Sequence, residues 1–365
     1  MARNRFLHHT WAIGGIALVA MTATACGSTA KSTTSSIPPS TPAVTATSSA
    51  DSTPGTVAQA LAALPATSWG DRFITFGQSA AMTAADNASS VTQTTFGSIV
   101  ELTDPLVAAP DSQIEAQQTA LLGFDPQKAA YAVTMGAAPQ NATVFYGTFP
   151  VSSIETKLTT AGYTRHSATD GQTIWTYRTP GTDPTLYPED DDIFMPYAIE
   201  VTASRITVGY TTTDVENITS GSSMTLAATS DLDALATCLG SPTAGMIAVL
   251  YQTPQPAHML TAGIGITSTT GNANVELCVE APDAPTAQAM QASWASQIRT
   301  GHDPDSGLPM AKMLTNPQAT ITTQAQHVVR FTATMAPGVS AQIFLDRYLG
   351  GDLATLIIPP TGTTA

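Results

Sequence analysis

Hairpin signals near the middle of this chain constrain its fold more than any other feature. Residues 163–167 and 173–177 have the composition of strands, and they flank the pair Asp170-Gly171. An Asp-Gly pair favours a tight type I′ turn, because glycine adopts the positive φ angles that this turn requires. Since two-residue turns join antiparallel neighbours, the pattern predicts a sheet built mainly from antiparallel strands.

A repeated order of elements extends this prediction to the whole folded body. Residues 144–160 and 275–291 each run from a strand through a proline-containing corner into an amphipathic helix. A sheet with an apolar face buries it against another layer, and helices with an apolar stripe supply that layer. We therefore expect an α+β fold of two similar halves of mainly antiparallel sheet, residues 56–225 and 226–365, with helices packed on one face.

Local signals also predict where individual helices begin. Ser152 and Glu155 have the spacing of a capping box, in which each side chain satisfies a free backbone N–H group. Ser230 is expected to cap a second helix with its hydroxyl group. A third helix is expected from Ala284, with a buried face formed by apolar residues at helical spacing. These residues are Ala287, Met290, Trp294 and Ile298.

The start of the chain has the pattern of an export signal. Arg3 and Arg5 precede an apolar run at residues 11–21, which is too short to cross a bilayer as a helix. The segment leading to Cys26 resembles the lipobox of bacterial lipoproteins, in which a signal peptide, here residues 1–25, is removed. The resemblance implies diacylglycerol and palmitate on Cys26. A plain secretory signal and an uncleaved anchor are the alternatives.

Residues 26–55 are predicted to form a flexible tether. They consist mostly of Ser, Thr, Ala and Pro, and Lys31 and Asp51 are their only charged residues. A segment with so little apolar surface cannot offset the entropy lost on ordering. With a lipid on Cys26 as the membrane contact, this tether would hold the body off the outer face of the cell membrane.

The cysteine count predicts one disulfide. Once Cys26 carries the lipid, Cys238 and Cys278 are the remaining cysteines. An even pair in an oxidising compartment most simply forms a disulfide, which would contribute about 4 kcal/mol by the chain-entropy model. Two buried free thiols are the alternative.

An acidic charge balance excludes some classes of partner. The chain has 13 Lys and Arg against 27 Asp and Glu, a formal net charge of -14. Loss of Arg3 and Arg5 with the signal leaves 11 against 27, or -16. Nucleic acids and anionic lipid head groups attract clusters of Lys and Arg. We therefore expect no nucleic-acid partner.

Motifs of the common enzyme classes are missing from the sequence, which has neither a nucleophile elbow nor a phosphate-binding loop. Gly263 and Gly265 begin like a dinucleotide fingerprint but lie in an alternating strand, which favours a bulge or close packing. The sequence predicts no cofactor and disfavours an enzyme, although catalytic groups assembled from distant positions leave no local pattern. The histidines of the mature chain are also not at metal-ligand spacing: His166, His258, His302 and His327.

An acidic loop is the one weak candidate for a metal site. Asp190, Asp191 and Asp192 follow one another in a proline-rich stretch, and Ca²⁺ takes several oxygen ligands. A solvated loop is the simpler interpretation of such a charge run. The sequence therefore predicts no metal.

Two segments of the body carry a looser resemblance. Residues 122–126 (Leu-Gly-Phe-Asp-Pro) and 235–240 (Leu-Ala-Thr-Cys-Leu-Gly) are similar to segments of secreted lipoproteins of actinobacterial type, whose activity is uncharacterised. The scarcity of Lys and the Ala- and Thr-rich body agree with this class. The resemblance implies an extracytoplasmic lipoprotein and assigns no functional residue.

Together these features favour an envelope lipoprotein with a non-enzymatic binding role toward a protein or glycan partner. The alternative is an extracytoplasmic carrier of a lipid or other hydrophobic ligand, which predicts an apolar cavity larger than ordinary packing leaves. A solute-binding component of a transporter is disfavoured, because that class predicts parallel sheets in two lobes, whereas hairpin signals dominate here.

Overall fold

The computed structural model gives the fold of most of the body. All of the residues it describes belong to one compact unit, Thr47–Ala365. They are residues 53–67, 69–88, 119–137, 140–167, 171–177, 196–220, 224–250, 260–269, 272–303, 307–322 and 327–339, with residues 344 and 348.

The architecture is α+β and is organised around one antiparallel sheet of 12 strands. In space the strands follow the order β11-β12-β10-β9-β8-β1-β2-β3-β7-β6-β5-β4, and every described pairing is antiparallel. The strands are β1 Phe73–Gly77, β2 Tyr131–Ala137, β3 Gln140–Tyr146, β4 Thr164–Ser167, β5 Thr173–Thr176, β6 Ala198–Val201, β7 Arg205–Gly209, β8 Ala244–Leu250, β9 Leu260–Thr269, β10 Asn272–Glu280, β11 Leu314–Ile321 and β12 Val328–Met335.

Strand β1 joins the two sides of this sheet. Its Ile74 pairs with Met135 of β2 on one side and with Ile247 of β8 on the other. Because β8 follows residue 225, the sheet is continuous across the expected boundary between residues 56–225 and 226–365. Six strands lie on the β2 side and five on the β8 side.

Seven helices are described with their bounds. They are α1 Val57–Ala63, α2 Ser79–Ala88, α3 Val151–Thr160, α4 Thr212–Thr219, α5 Ser230–Leu239, α6 Ala284–Thr300 and α7 Met310–Met313. Two short 3₁₀ turns, Pro126–Lys128 and Leu226–Ala228, complete the described helical elements. Among the described helices, none combines the length and apolar character that crossing a bilayer requires.

Helices cover both faces of the sheet, which corrects the expectation of one covered face. Successive side chains of a strand point to opposite faces, and Val144 and Phe145 of β3 mark the division. Val144 packs in one buried cluster with Leu235 of α5, whereas Phe145 packs in another with Ile154 and Leu158 of α3. We call the Val144 side face A and the Phe145 side face B.

The central strands explain why both faces need a cover. Ile74 and Phe76 of β1 are fully buried on face A, and Thr75 between them is fully buried on face B, so both sides of the sheet are shielded from solvent here. Helices α1 and α5 pack on face A, and α2, α3 and α6 pack on face B. Helix amphipathicity shows that a helix has a buried face, but it does not show which face of a sheet receives it.

Two expected helix caps are wrong by one or two residues. Helix α3 begins after Pro150, whose carbonyl accepts from Ile154 N at 3.1 Å, so Ser152 lies inside the first turn. Helix α5 begins after Thr229, and the hydroxyl of Ser230 donates to Asp231. The first bonds of these helices are accepted by backbone carbonyls, those of Pro150 and Thr229, and both residues precede the serine that was expected to be the cap.

Other local predictions are confirmed. The hairpin of β4 and β5 forms, and Gly171 has φ of 84° in its turn, whereas Asp170 lies outside the described residues. Helix α6 buries the predicted stripe of Ala287, Met290, Trp294 and Ile298. The sequence also predicts helices at residues 112–122 and 340–349, and most of these residues lie outside the described part of the chain.

Candidate functional site

Two glycines let helix α5 lie directly against strand β9. On face A, a Cβ atom at Gly263 would lie 2.7 Å from Leu239 Cδ1, and one at Gly265 would lie 3.0 Å from Pro242 Cβ. Protein interiors are close-packed, so a side chain at either position would push the end of the helix away. This close approach agrees with the packing interpretation of the two glycines and gives them no nucleotide-binding role.

The predicted disulfide fastens the same helix to the next strand. Cys238 of α5 is bonded to Cys278 of β10, with their Cα atoms 6.1 Å apart. The bond closes a separation of 40 residues, which corresponds to about 4 kcal/mol in the chain-entropy model. The disulfide therefore holds the C-terminal end of α5 against β10 on face A.

Beyond this helix, face A is open and polar. Strands β9 to β12 line a groove there with a volume of about 350 Å³, and none of the described residues that line it is aromatic. Eight of them carry polar side chains: Thr267 of β9, Asn274 and Glu276 of β10, Asn316 and Gln318 of β11, and Arg330, Thr332 and Thr334 of β12.

Strand register arranges these side chains in rows. Asn274 pairs with Thr267 on one side and with Thr334 on the other. In the next row Thr332 lies between Glu276 and Gln318. Neighbouring strands are about 4.8 Å apart, so hydrogen-bonding groups recur across the groove at that interval.

An ion pair forms the floor of the groove. Arg330 Nε donates to Glu276 Oε1, and the arginine side chain is 46% exposed while the glutamate side chain is 12% exposed. The same carboxylate oxygen lies 3.9 Å from Cys278 Sγ, so the pair is seated against the disulfide. The guanidinium group is therefore held by its bond to Glu276, and its exposed part is accessible to a ligand.

Burial also changes the acidity of the glutamate. Desolvation raises the pKa of the Glu276 carboxyl above its ordinary value, and the hydrogen bond and charge of Arg330 partly oppose this shift. Carboxyl groups with perturbed pKa values in concave sites are candidates for function. Among the described groove residues, the other charged side chain is Arg330, which has the opposite sign, so the ionised pair carries no net charge.

The groove can offer hydrogen bonds but holds no evident metal centre. Ligand atoms of Cys238, Cys278 and Glu276 lie within 4.8 Å of one another. Both sulfur atoms are in the disulfide, and only a thiolate is a metal ligand, so the carboxylate alone remains. Amide and hydroxyl groups that both donate and accept hydrogen bonds dominate the lining. This chemistry suits a polar ligand with many hydroxyl or amide groups.

The structure brings few of the sequence-predicted residues into this site. Cys238 and Cys278 border it, whereas Cys26 and the acidic residues Asp190, Asp191 and Asp192 lie outside the described residues. Among the four histidines that follow residue 25, His258 lies outside the described residues. The remaining three, His166, His302 and His327, are not among the groove-lining residues.

Sequence reasoning missed the ion pair that forms the floor. Glu276 and Arg330 are 54 residues apart, and only the pairing of β10 with β12 brings them together. A partial signal exists, because Asn274 and Glu276 alternate with buried residues, as do Arg330 and Thr332. Such alternation indicates a polar strand face, but it does not say which strands are neighbours.

The described apolar interior gives no support to a hydrophobic carrier. A cavity lined by Ile264, Trp294 and Phe331, among others, has a volume of about 10 Å³. Ligand pockets typically have about 300 Å³ or more. In the part of the chain that the structure describes, this cavity is too small for a lipid chain.

Comparisons with known proteins add little to this geometry. The sequence matches no protein-family model and no curated protein. A solved structure described as "Structure of crystal form I of TP0453" aligns with 77% of this chain and 94% of its own, at 8% identity and a TM-score of 0.37. A similarity of this size assigns neither a fold family nor a function.

Proposed function

We propose that this protein is a surface-anchored envelope lipoprotein whose body binds a partner, without catalysis, through the polar groove on face A. The observation that carries the proposal is the groove itself, in which six described polar side chains surround the Glu276–Arg330 ion pair over about 350 Å³. This volume lies within the range of about 300–1,000 Å³ that is usual for ligand sites.

The chemistry of the lining favours a glycan over a protein partner. Protein interfaces are usually anchored by buried aromatic or aliphatic side chains, which need apolar pockets. The groove has threonine hydroxyls and the amides of Asn274, Asn316 and Gln318 instead. Sugar hydroxyl groups both donate and accept hydrogen bonds, as these side chains do.

The anchor is part of the proposal. Cys26 would carry the lipid, and residues 26–55 would hold the groove away from the outer face of the cell membrane. Many copies on one surface would let weak individual contacts act together on a repeating polymer. A Cys26→Ala variant is expected to leave the membrane fraction, and retention equal to that of the parent protein would reject the anchor.

The order of elements supports a relation between the two sides of the sheet. On each side, strands run outward from the centre, a helix follows (α3 or α6), and the later strands return inward from the edge. We take this as two similar halves, of which one has kept an open groove. The difference in strand number, six against five, is where the halves diverge.

Binding to the host's own envelope tests the function. The full mature chain, purified from membranes in detergent, is applied to immobilised host envelope material that is untreated, protease-treated or periodate-oxidised. Binding is expected to survive protease and to be lost after periodate, which cleaves vicinal diols of sugars. The opposite pattern would identify a protein partner and overturn the glycan assignment.

A pair of arginine variants locates the binding site. Arg330→Met removes the exposed guanidinium of the groove and is expected to weaken binding at least about tenfold. The matched control is Arg165→Met, because Arg165 is an exposed strand arginine that donates to Thr173 at 3.1 Å, outside the groove. Equal binding by both variants would show that the groove is not the site.

A further inference from the structure

Strand β11 contains a bulge where it borders the groove. Thr315 pairs with Thr334 and Gln318 pairs with Thr332, so three steps along β11 match two steps along β12. The extra residue breaks the alternation of faces, and Asn316 joins Gln318 among the groove-lining side chains. Bulges of this kind commonly re-aim a side chain near a functional site.

The backbone of Asn316 is in an uncommon conformation. Its φ angle is 52°, in the left-handed region, and Pro317 follows it. A residue before proline is normally pushed toward extended conformations. Asparagine tolerates the left-handed region better than most residues, but glycine does so without cost. An asparagine here therefore supplies something that glycine does not, and the difference between the two is the carboxamide side chain.

The charge of the groove restricts the class of ligand that the Asn316 carboxamide can bind. Among the described residues of the lining there are one Arg and one Glu, and they are bonded to each other. The chain as a whole carries a net charge of -14, which repels polyanions. A cationic ligand would need an unpaired carboxylate, and the carboxylate of this lining is already paired. A neutral ligand rich in hydroxyl groups is the remaining match.

We propose that the ligand is a neutral glycan and that Asn316, held in the bulge of β11, is a specificity-determining residue that hydrogen-bonds its hydroxyl groups. The inference rests on the proposed function of the groove. The amides of Asn316 and Gln318 both line the groove, and each amide offers two donors and an acceptor. Vicinal sugar hydroxyls present the complementary pair of groups.

A purely structural role for the bulge makes a different prediction. Bulges and prolines also protect edge strands from pairing with other chains, and β11 is an edge strand. That role depends on the backbone and on Pro317, so it is preserved when the side chain of residue 316 is removed. Asn316→Gly keeps the left-handed backbone and is expected to leave the thermal midpoint equal or higher.

Tetrasaccharides test the proposal directly. The full mature chain in detergent is titrated with neutral tetramers of glucose, mannose and galactose, and with tetragalacturonic acid as the charged comparison. At least one neutral tetramer is expected to bind more tightly than the uronate, and Asn316→Gly is expected to weaken it about five- to tenfold. His327→Gly is the matched control, since His327 has φ of 50° and does not line the groove.

The outcomes separate this inference from the proposed function. If Arg330→Met loses binding while Asn316→Gly binds like the parent protein, the role of Asn316 is wrong and the groove still functions. If the uronate binds more tightly than every neutral tetramer, the neutral ligand class is wrong. If no tetramer binds and envelope binding is protease-sensitive, the glycan assignment itself fails.

Discussion

Two Glu–Arg ion pairs lie on face A of the same sheet in opposite settings. In the first, Glu200 of β6 and Arg205 of β7 are 4% and 10% exposed, and Arg205 Nη2 donates to Glu200 Oε2 at 3.2 Å. In the second, Glu276 and Arg330 are 12% and 46% exposed. The two pairs have the same residue types and lie on neighbouring strands. They differ in how far the arginine side chain is exposed to solvent.

The cover above each pair accounts for the difference. Helix α4 packs on face A against β5, β6 and β7, where its Val215 is buried with Ile174 and Ala198. Thr207 also donates to the Glu200 carboxylate at 3.3 Å, inside the protein. On the β8 side of the same face, α5 contacts β9, β10 and β12 but leaves the arginine of the second pair exposed. The extent of the helix layer thus separates a structural ion pair from one that a ligand can reach.

The largest expected effect concerns the covered pair. Arg205→Met leaves the carboxylate of Glu200 buried without its cation, and we expect a loss of about 3–5 kcal/mol in the free energy of unfolding. Arg330→Met should cost less, because the Arg330 side chain is 46% exposed and solvent screens its interaction with Glu276. Urea denaturation of both variants measures the difference. A double change, Glu200→Gln with Arg205→Met, is the control and should recover much of the loss. Equal losses in the two single variants would show that the exposure of the arginine does not determine how much each ion pair contributes to stability.

The disulfide defines the border of the open region. Replacing Cys238 and Cys278 together by Ala should lower the free energy of unfolding by about 2–4 kcal/mol. It should also weaken envelope binding, because the Glu276–Arg330 pair is seated against this bond. Urea denaturation and the envelope-binding assay report these two effects separately. Full binding in a destabilised variant would show that the disulfide supports the fold alone.

A buried hydroxyl beside the covered pair provides a smaller test. Tyr146 pairs with Arg205 across β3 and β7, and burial raises the pKa of Tyr146 to about 12. Its hydroxyl is fully buried and has no hydrogen-bond partner among the described residues. Tyr146→Phe should therefore stabilise the protein by about 1 kcal/mol. A clear loss of stability by urea denaturation would mean that an internal water molecule or another group satisfies this hydroxyl.

The smallest expected effect is the pH dependence of the open pair. The pKa of Glu276 is raised in the folded protein, so the native state holds its proton at pH values where the unfolded chain has lost it. This stabilising contribution is fully present below the ordinary value of 4.5 and is lost as pH rises through the raised pKa. The stability of the parent protein relative to Glu276→Gln should fall accordingly. Urea denaturation between about pH 4 and pH 7 measures it, and a rising difference would contradict the burial-dominated shift.

Local sequence patterns predicted many of the elements correctly. The hairpin at Gly171 and the buried stripe of helix α6 depend on turn chemistry and helical periodicity, which neighbouring residues determine. Helices α3 and α5 begin one or two residues before the positions predicted from Ser152 and Ser230, and neither has a side-chain hydrogen bond at its N-cap. Cap positions depend on the entry angle of the chain, which sequence spacing does not contain.

The candidate site was beyond prediction for a different reason. Its ion pair joins residues 54 positions apart, and its bulge is visible only once β11 is paired with β12. The covered pair of Glu200 and Arg205 is close in sequence, yet nothing local shows that a helix will lie over it. Polar alternation in a strand predicts a polar face without identifying its neighbours.

The sequence by itself determined the class of the fold and the pairing of Cys238 with Cys278, because both follow from local periodicity and a simple count. It also predicts an export signal and a lipid on Cys26, which remain predictions. The tertiary structure alone decided which strands are neighbours, that both faces of the sheet are covered, and where the cover ends. Those properties arise from contacts between distant residues, and such contacts form only when the whole sheet is assembled.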